Sequence, residues 1–356
     1  MDRLLKIREK LIDKDLDAVL ITDEKNQRYA SGFAFTDGAV LITRERAFLF
    51  TDSRYIEAAE KTVSTDIELR LAGAGKRLSE LIKAELDACG ARALGAEEFS
   101  MPHGQYLEYE KRLERELIPC QSIFYELRAA KDEKEQAHMR EAQAIAEKAL
   151  DDVLRIIRPS VTERDIAAEI TYRLLKHGGE GNSFDPIAVS GANSSMPHGV
   201  PSDKPVENGD FVTMDFGCVK NGYCSDMTRT VAVGHVTEEM KNVYDTVLRA
   251  QRAGIKAARA GVTGAQIDGA ARQVISEAGY GDFFGHAFGH SLGLDIHEAP
   301  TAAPSAEDPM PDGAVISAEP GIYLPGRFGV RIEDVLILRA GGCENITQAS
   351  KELIIL

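Results

Sequence analysis

The sequence predicts an α+β protein in two parts: a smaller α/β region of about 125 residues, then a larger region built as a pseudo-twofold from an internal duplication. Three observations carry this. A chain of 356 residues is too long for one simple core and right for two domains. Short apolar runs alternate with helical patterns in the first stretch, an α/β signature. The remainder contains a near-copy of itself, the mark of a repeated supersecondary unit.

In chain order, Asp17–Thr22 reads as a buried strand, as do Ala39–Ile42 and Ala47–Phe50, each a short apolar run. Leu78, Leu81, Ile82 and Leu86 fall at helical spacing across residues 78–88. From Asp132 to Ile157 runs one long amphipathic helix, with Ala142, Ile145, Ala149, Val153 and Ile157 on a single stripe. Asp132 and Glu135 form a capping pair at its start, and Pro159 stops it. The charged segment 126–136 marks the boundary, so the domains are expected at 1–128 and 129–356.

The duplication follows. Pro159–Ile166 matches Ala260–Ile267, 101 residues later. Thr162 and Thr263 are the expected N-caps, and Gly178 and Gly279 the helix ends. Asn208–Gly217 lies over Asp312–Gly321 at an offset of 104; in each copy a turn glycine leads into a β-branched strand that ends in a carboxylate.

Composition narrows the function. Net charge is −15, and no basic patch offsets it, which argues against nucleic-acid and anionic-membrane partners. The chain is 44% hydrophobic and 28% charged, ordinary for a globular protein. No apolar run approaches the ~20 residues that span a bilayer. The N-terminus is charged every two or three positions, unlike a secretory signal. Five scattered cysteines form no CxxC pair and read as reduced thiols, so a cytoplasmic protein is expected.

The chemistry centres on carboxylates. Asn221-Gly222 predicts a hairpin between strands Phe211–Phe216 and Tyr223–Val233. Its parity puts Asp215 and Asp226 on one face, roughly 5–8 Å apart at Cβ. The second copy supplies Glu319 at the end of strand Val315–Glu319, and Glu333 on a strand Gly329–Leu338 with Arg331 on the same face. Four carboxylates buried together are untenable without compensation, and two divalent cations balance them. Such a histidine-poor ligand set suits Mn²⁺ or Co²⁺ better than a structural zinc cage. Three of the eight histidines, His286, His290 and His297, crowd into one glycine-rich window, and His198 is the first copy's partner to His297. Two imidazoles flanking one substrate are expected there.

Asp215 and Asp226, then Gly289–Glu298, then Glu319-Pro320-Gly321-Ile322-Tyr323, then Gly329–Asp334, together resemble the pita-bread metallopeptidases, which include Xaa-Pro aminopeptidase, prolidase and methionine aminopeptidase. Residues 1–125 look like the N-terminal domain of the prolidase and Xaa-Pro aminopeptidase branch; a minimal methionine aminopeptidase does not need them. The resemblance implies that Asp215, Asp226, His290, Glu319 and Glu333 bind two metal ions, and that His198, His286 and His297 serve substrate and transition state. The same ligands also serve Zn²⁺ or Fe²⁺. A metal-bridging hydroxide would attack the scissile carbonyl, with Glu319 as general base and later acid. Arg331 is expected to support a metal carboxylate; capture of a dipeptide's C-terminal carboxylate is the alternative. The implied reaction is hydrolysis of an N-terminal Xaa-Pro bond in peptides or dipeptides, by a homodimer. Creatinase-like amidinohydrolases share the fold but lack the metal ligands, and non-catalytic pita-bread binding modules lose ligands or gain basic tails. Neither matches this chain.

Overall fold

The computed structural model describes residues 3–73 and 75–356. The chain forms two compact units, the first ending at Leu127 and the second running Arg128–Leu356. In the first, α1 (Arg3–Asp13), β1 (Ala18–Ile21), α2 (Glu24–Ser31), β2 (Gly38–Thr43), β3 (Ala47–Thr51), α3 (Ile56–Thr62), β4 (Glu68–Leu71), α4 (Leu78–Ala88), β5 (Leu94–Ala96), α5 (His103–Leu113) and β6 (Leu117–Pro119) follow one another. The strands make one mixed sheet in the order β4-β3-β2-β1-β5-β6, parallel at β3/β4, β1/β5 and β5/β6. β1 and β3 are buried along their whole length, as near-continuous apolar runs require. Helix α4 supplies Ile82 and Leu86 to their core. Helix α6 (Ser122–Ala129) carries the chain into the second unit.

The second unit is a pair of similar halves. The first has α7 (Glu133–Val153), α8 (Glu163–Lys176), β7 (Gly181–Asn182), β8 (Ile187–Ser190), β9 (Phe211–Phe216), β10 (Cys218–Lys220), β11 (Tyr223–Cys224) and β12 (Met227–Ala232). The second has α9 (Glu238–Ala257), α10 (Gly264–Glu277), β13 (Gly289–Ser291), β14 (Glu298–Ala302), β15 (Val315–Ala318), β16 (Gly321–Leu324), β17 (Phe328–Arg331), β18 (Asp334–Arg339) and β19 (Gly342–Asn345). β9 lies between β8 and β12, and β15 between β13 and β18, so the strand triplets correspond. Each half packs a helix pair over its triplet in its own core. Ala146, Ile166, Met214 and Val231 belong to one; Val247, Ile267, Ile316 and Leu336 belong to the other. Each Val, Leu, Ile or Met among them stabilises the fold by about 1.5–3 kcal/mol on burial.

The repeat is visible in small features too. Thr162 and Thr263 cap α8 and α10, each in a reciprocal capping box with Asp165 or Gln266. Gly178 and Gly279 follow those helices at φ +99° and +85°. Thr162 bridges to Pro205 and Thr263 to Pro309. Asp132 and Glu135 cap α7 as expected.

Three expectations are corrected. Helix α7 ends at Val153 rather than Ile157, and turns fill the gap before Pro159. The Asn221-Gly222 hairpin forms with φ of 49° and 77°, the two positive values a type I′ turn needs. Its arms, however, are broken: a Cβ on Gly217 would stand 1.8 Å from Ser225 O, so the strands pinch there and re-form as β9/β12. The expected strand Gly329–Leu338 is two strands in two sheets, β17 paired with β16 and β18 with β15. Between them Glu333 N donates to Thr228 O at 3.1 Å, so the chain turns toward the first half.

Candidate metal centre and active site

All four carboxylates arise at strand ends or breaks. Asp215 is the penultimate residue of β9, opposite Thr228 of β12. Asp226 immediately precedes β12, after the pinch at Gly217. Glu319 immediately follows β15, and Glu333 immediately precedes β18. His290 sits on β13, where its N–H donates to Ser317 Oγ at 3.0 Å. Gly289 before it allows that approach, since a Cβ there would meet Ser317 O at 2.0 Å.

These side chains line one cavity of about 430 Å³, together with His198, His286, His297 and Arg331. Asp226, His290 and Glu333 each offer a ligand atom within 4.8 Å of the other two. His290 Nε2 is 3.5 Å from Asp226 Oδ2 and 3.3 Å from Glu319 Oε1. Ser317 Oγ donates to Glu319 Oε1 at 2.9 Å.

Asp215 and Glu333 are each half satisfied. Arg331 Nη2 donates to Asp215 Oδ2 at 2.6 Å, and Thr228 Oγ1 to Glu333 Oε2 at 2.7 Å. Their other oxygens, Asp215 Oδ1 and Glu333 Oε1, are buried with no hydrogen-bond donor, as is Asp226 Oδ1. A buried carboxylate oxygen without a donor costs free energy, and three in one cavity point to a cation that supplies the missing partner. The residues present therefore fit a carboxylate-and-histidine metal site.

Charge in the cavity tells the same story. Burial, reinforced by neighbouring carboxylates, pushes Asp226 and Glu333 well above the usual carboxylate range. Burial also raises Asp215, although Arg331 opposes it. Glu319 goes the other way. Burial acts to raise it, but the hydrogen bond and charge of His290, with His286 and Arg331 behind, hold it at about 2.

Every site residue expected from the sequence reaches this cavity, with differing surroundings. His290 and His297 pack edge to face, ring centroids 4.4 Å apart, and burial and the His290 charge lower His297. His198 is exposed, on the segment after a 3-10 turn at Gly191–Ser195. His286 has both ring nitrogens engaged: Nδ1 lies 2.8 Å from Ala287 O and Nε2 lies 2.9 Å from Tyr323 OH. Arg331 is 3% exposed and fully committed, to Asp215, to Thr228 Oγ1 at 3.0 Å, to Tyr323 OH at 2.8 Å and to Pro197 O at 3.2 Å. Ala287 O can only accept, so a neutral His286 carries its proton on Nδ1, and Nε2 accepts from Tyr323 OH, whose oxygen in turn accepts from Arg331 Nη1. Sequence reasoning did not single out Thr228 or Ser317, and named Tyr323 only as the end of the Glu319–Tyr323 motif, with no role. The only signal was their spacing, two residues from Asp226 and Glu319 or two past Gly321.

Comparison with known proteins agrees with this geometry. Residues 137–340 match the model of metallopeptidase family M24, and residues 3–130 match the Creatinase/Prolidase N-terminal domain. The chain belongs to metallopeptidase family M24. This M24 peptidase is 37% identical to an Xaa-Pro dipeptidase of Pyrococcus horikoshii over 99% of both chains. The solved Xaa-Pro dipeptidase from Bacillus anthracis matches it at 40% identity and TM-score 0.96, covering 100% of this chain and 99% of that one. An X-Pro aminopeptidase structure from Thermotoga maritima matches at 36% identity and TM-score 0.93, covering 98% and 99%. The pita-bread catalytic fold with a creatinase-type N-terminal domain, expected from the sequence, is thus the fold of this M24 peptidase. Among the described residues no helix is long and apolar enough to cross a membrane.

Proposed function

We propose that this M24 peptidase is a dinuclear metallo-exopeptidase that hydrolyses the bond between an N-terminal residue and proline. The observation that carries it is the set of three donorless carboxylate oxygens beside His290, each belonging to a side chain in the family's expected ligand set. Asp215, Asp226, His290, Glu319 and Glu333 would hold two divalent ions, Mn²⁺ or Co²⁺ before Zn²⁺ or Fe²⁺, in a catalytic domain at 129–356 that follows an N-terminal domain at 1–128. Bound there, the pair supplies Lewis acidity and a hydroxide at neutral pH.

The protein's own groups do the rest. Glu319 Oε1 is held by Ser317 and His290, so Oε2 takes the proton of the attacking water and returns it to the leaving proline nitrogen. His297 and His198 donate to the oxyanion that forms at the scissile carbonyl. Arg331 fixes Asp215, and Tyr323 with His286 fixes Arg331. A prolyl imide offers no N–H, so a substrate with proline second asks for no acceptor at that position. Relatives named as dipeptidase and as aminopeptidase both align over nearly the whole chain, which supports Xaa-Pro chemistry. We carry a cytoplasmic homodimer as part of this reading.

Hydrolysis of Ala-Pro, Ala-Pro-Ala and Met-Ala, with metal removed by chelation and restored as Mn²⁺ or Co²⁺, tests it. Chelator-sensitive cleavage of the two prolyl substrates over Met-Ala is the expected result, and the ratio of Ala-Pro to Ala-Pro-Ala names the dipeptidase or aminopeptidase. Cleavage that survives full metal removal contradicts the reading.

A further inference from the structure

His198 lies on an irregular segment between β8 and β9, and no strand or helix fixes it there. What fixes the segment is Glu163, the first residue of α8 and wholly buried. Its Oε1 accepts from Ser190 N at 2.7 Å, Ser190 Oγ at 3.1 Å and Asn193 Nδ2 at 3.0 Å, all at the segment's start. Its Oε2 accepts from Ser202 N at 3.1 Å and Ser202 Oγ at 2.6 Å, at the segment's end. A buried carboxylate is tolerated only with such saturation, and its bonds are the strong, charge-assisted kind. On the cavity side, Arg331 Nη1 holds Pro197 O at 3.2 Å, next to His198.

The second half handles its counterpart differently. At the first position of α10 stands Gly264, and a Cβ there would meet Thr301 O at 2.1 Å. Direct backbone contact leaves no room for a carboxylate at the first position of α10, and the stretch after His297 packs on the helix itself there. A clamp borne by the first residue of the helix is found on the His198 side and not at Gly264.

We propose that Glu163 is a positioning residue for His198: it ties Ser190 and Ser202, the two ends of the segment that carries His198, to the start of α8. The inference rests on the reading of His198 as a group that contacts substrate or transition state. A displacement of about 1 Å in such a group costs up to ~10²-fold in turnover.

The test is a double-mutant cycle on the metal-loaded enzyme with Ala-Pro as substrate, combined with metal analysis and amide hydrogen exchange. Glu163→Gln offers one acceptor oxygen in place of two. It is expected to lower kcat roughly 10- to 100-fold, leave metal stoichiometry unchanged, and speed exchange of the Ser190 or Ser202 amide. In the His198→Ala background the same change is expected to cost no more than about twofold, because the side chain it positions is gone. If Glu163→Gln turns over like wild type, or costs the same factor with and without the His198 imidazole, the inference fails. Should Glu163→Gln not fold, Ser202→Ala and Asn193→Ala, each removing donors to Glu163, are put through the same cycle with the same criterion. A His198→Ala enzyme as fast as wild type overturns the role assigned to His198 and the inference with it; additivity beside a slow His198→Ala overturns the inference alone.

Discussion

The two halves of the catalytic unit share a plan and differ in what they place on it. Asp226 and Glu333 each stand one residue before the third strand of their triplet, and Asp215 and Glu319 each stand at the end of the middle strand. Ser190 pairs with Val212 and Ser291 with Ile316, so the residue before each serine is Val189 in one half and His290 in the other. Duplication supplies matched carboxylates, and divergence at one strand position supplies the imidazole. The halves also brace each other. Arg331 of the second holds Asp215 of the first, while Thr228 of the first holds Glu333 of the second. Asp215 and Glu333 therefore each depend on both copies.

The segments bearing the flanking histidines show the opposite pattern. Glu163 seats the stretch with His198, whereas the stretch with His297 is held from Glu298. Glu298 pairs with Arg128 and lies 2.9 Å from Lys131 Nζ, and a Cβ on Gly293 would run into Glu298 Oε2 at 2.8 Å. One histidine is held by a carboxylate accepting from neutral donors, the other by a carboxylate between two cations.

If both halves are needed for one centre, removing a ligand from either must empty it. Asp226→Asn and Glu333→Gln are each expected to remove most bound metal and more than about 100-fold of turnover, beyond the range typical of outer partners. Elemental analysis beside Ala-Pro hydrolysis checks this, and loss in only one of the two breaks the symmetry argument.

The charged clamp near His297 should be acid-sensitive. Burial acts to raise Glu298, but Lys131 and Arg128 outweigh it and hold the carboxyl at about 2, against 4.5 for the free group. A depressed value in the folded state means the stabilisation is complete above pH ~4.5 and lost as pH falls toward ~2, about 3 kcal/mol in all. Urea unfolding across that window should show a shallower slope for Glu298→Gln than for wild type, the remainder belonging to other ion-paired carboxylates such as Glu68. Equal slopes would remove the clamp from the account.

The cross-brace is a smaller lever. Arg331→Lys cannot span Asp215, Thr228 and Tyr323 together, and is expected to weaken metal binding or activity 10- to 100-fold. Titration of metal-free protein reads it directly. Smallest are the caps: Thr162→Ala and Thr263→Ala should each cost about 1 kcal/mol of unfolding free energy, read from denaturant unfolding. Similar losses in the two copies sharpen the repeat; a loss in only one blunts it.

Much of this architecture is legible in the chain. Leu78–Ala88 is a helix at its expected bounds, Asp132 with Glu135 and both threonines cap as their spacing implies, and all the singled-out site residues reach one cavity. Those features rest on local chemistry, where a cap, a turn pair or a period of 3.6 decides the outcome. The breaks at Gly217 and at Ile332-Glu333 were not legible, because each is set by the other strand or the other half: Ser225 O presses on Gly217, and Thr228 O draws Glu333 aside. Tyr323, Thr228 and Glu163 went without a role for the same reason. Thr228 has its partner in the opposite half, Glu163 across a long loop and Tyr323 on the adjacent strand β17, so the local pattern assigns none of them a role.

Metal stoichiometry measured by elemental analysis on chelated and reloaded protein, with the Asp215→Asn, Asp226→Asn, His290→Ala, Glu319→Gln and Glu333→Gln variants alongside, addresses the duplicated centre most directly. Two ions per chain in the wild type, and a fall in each variant, is the outcome expected. A wild type that takes up none, or variants that bind as it does, would contradict it.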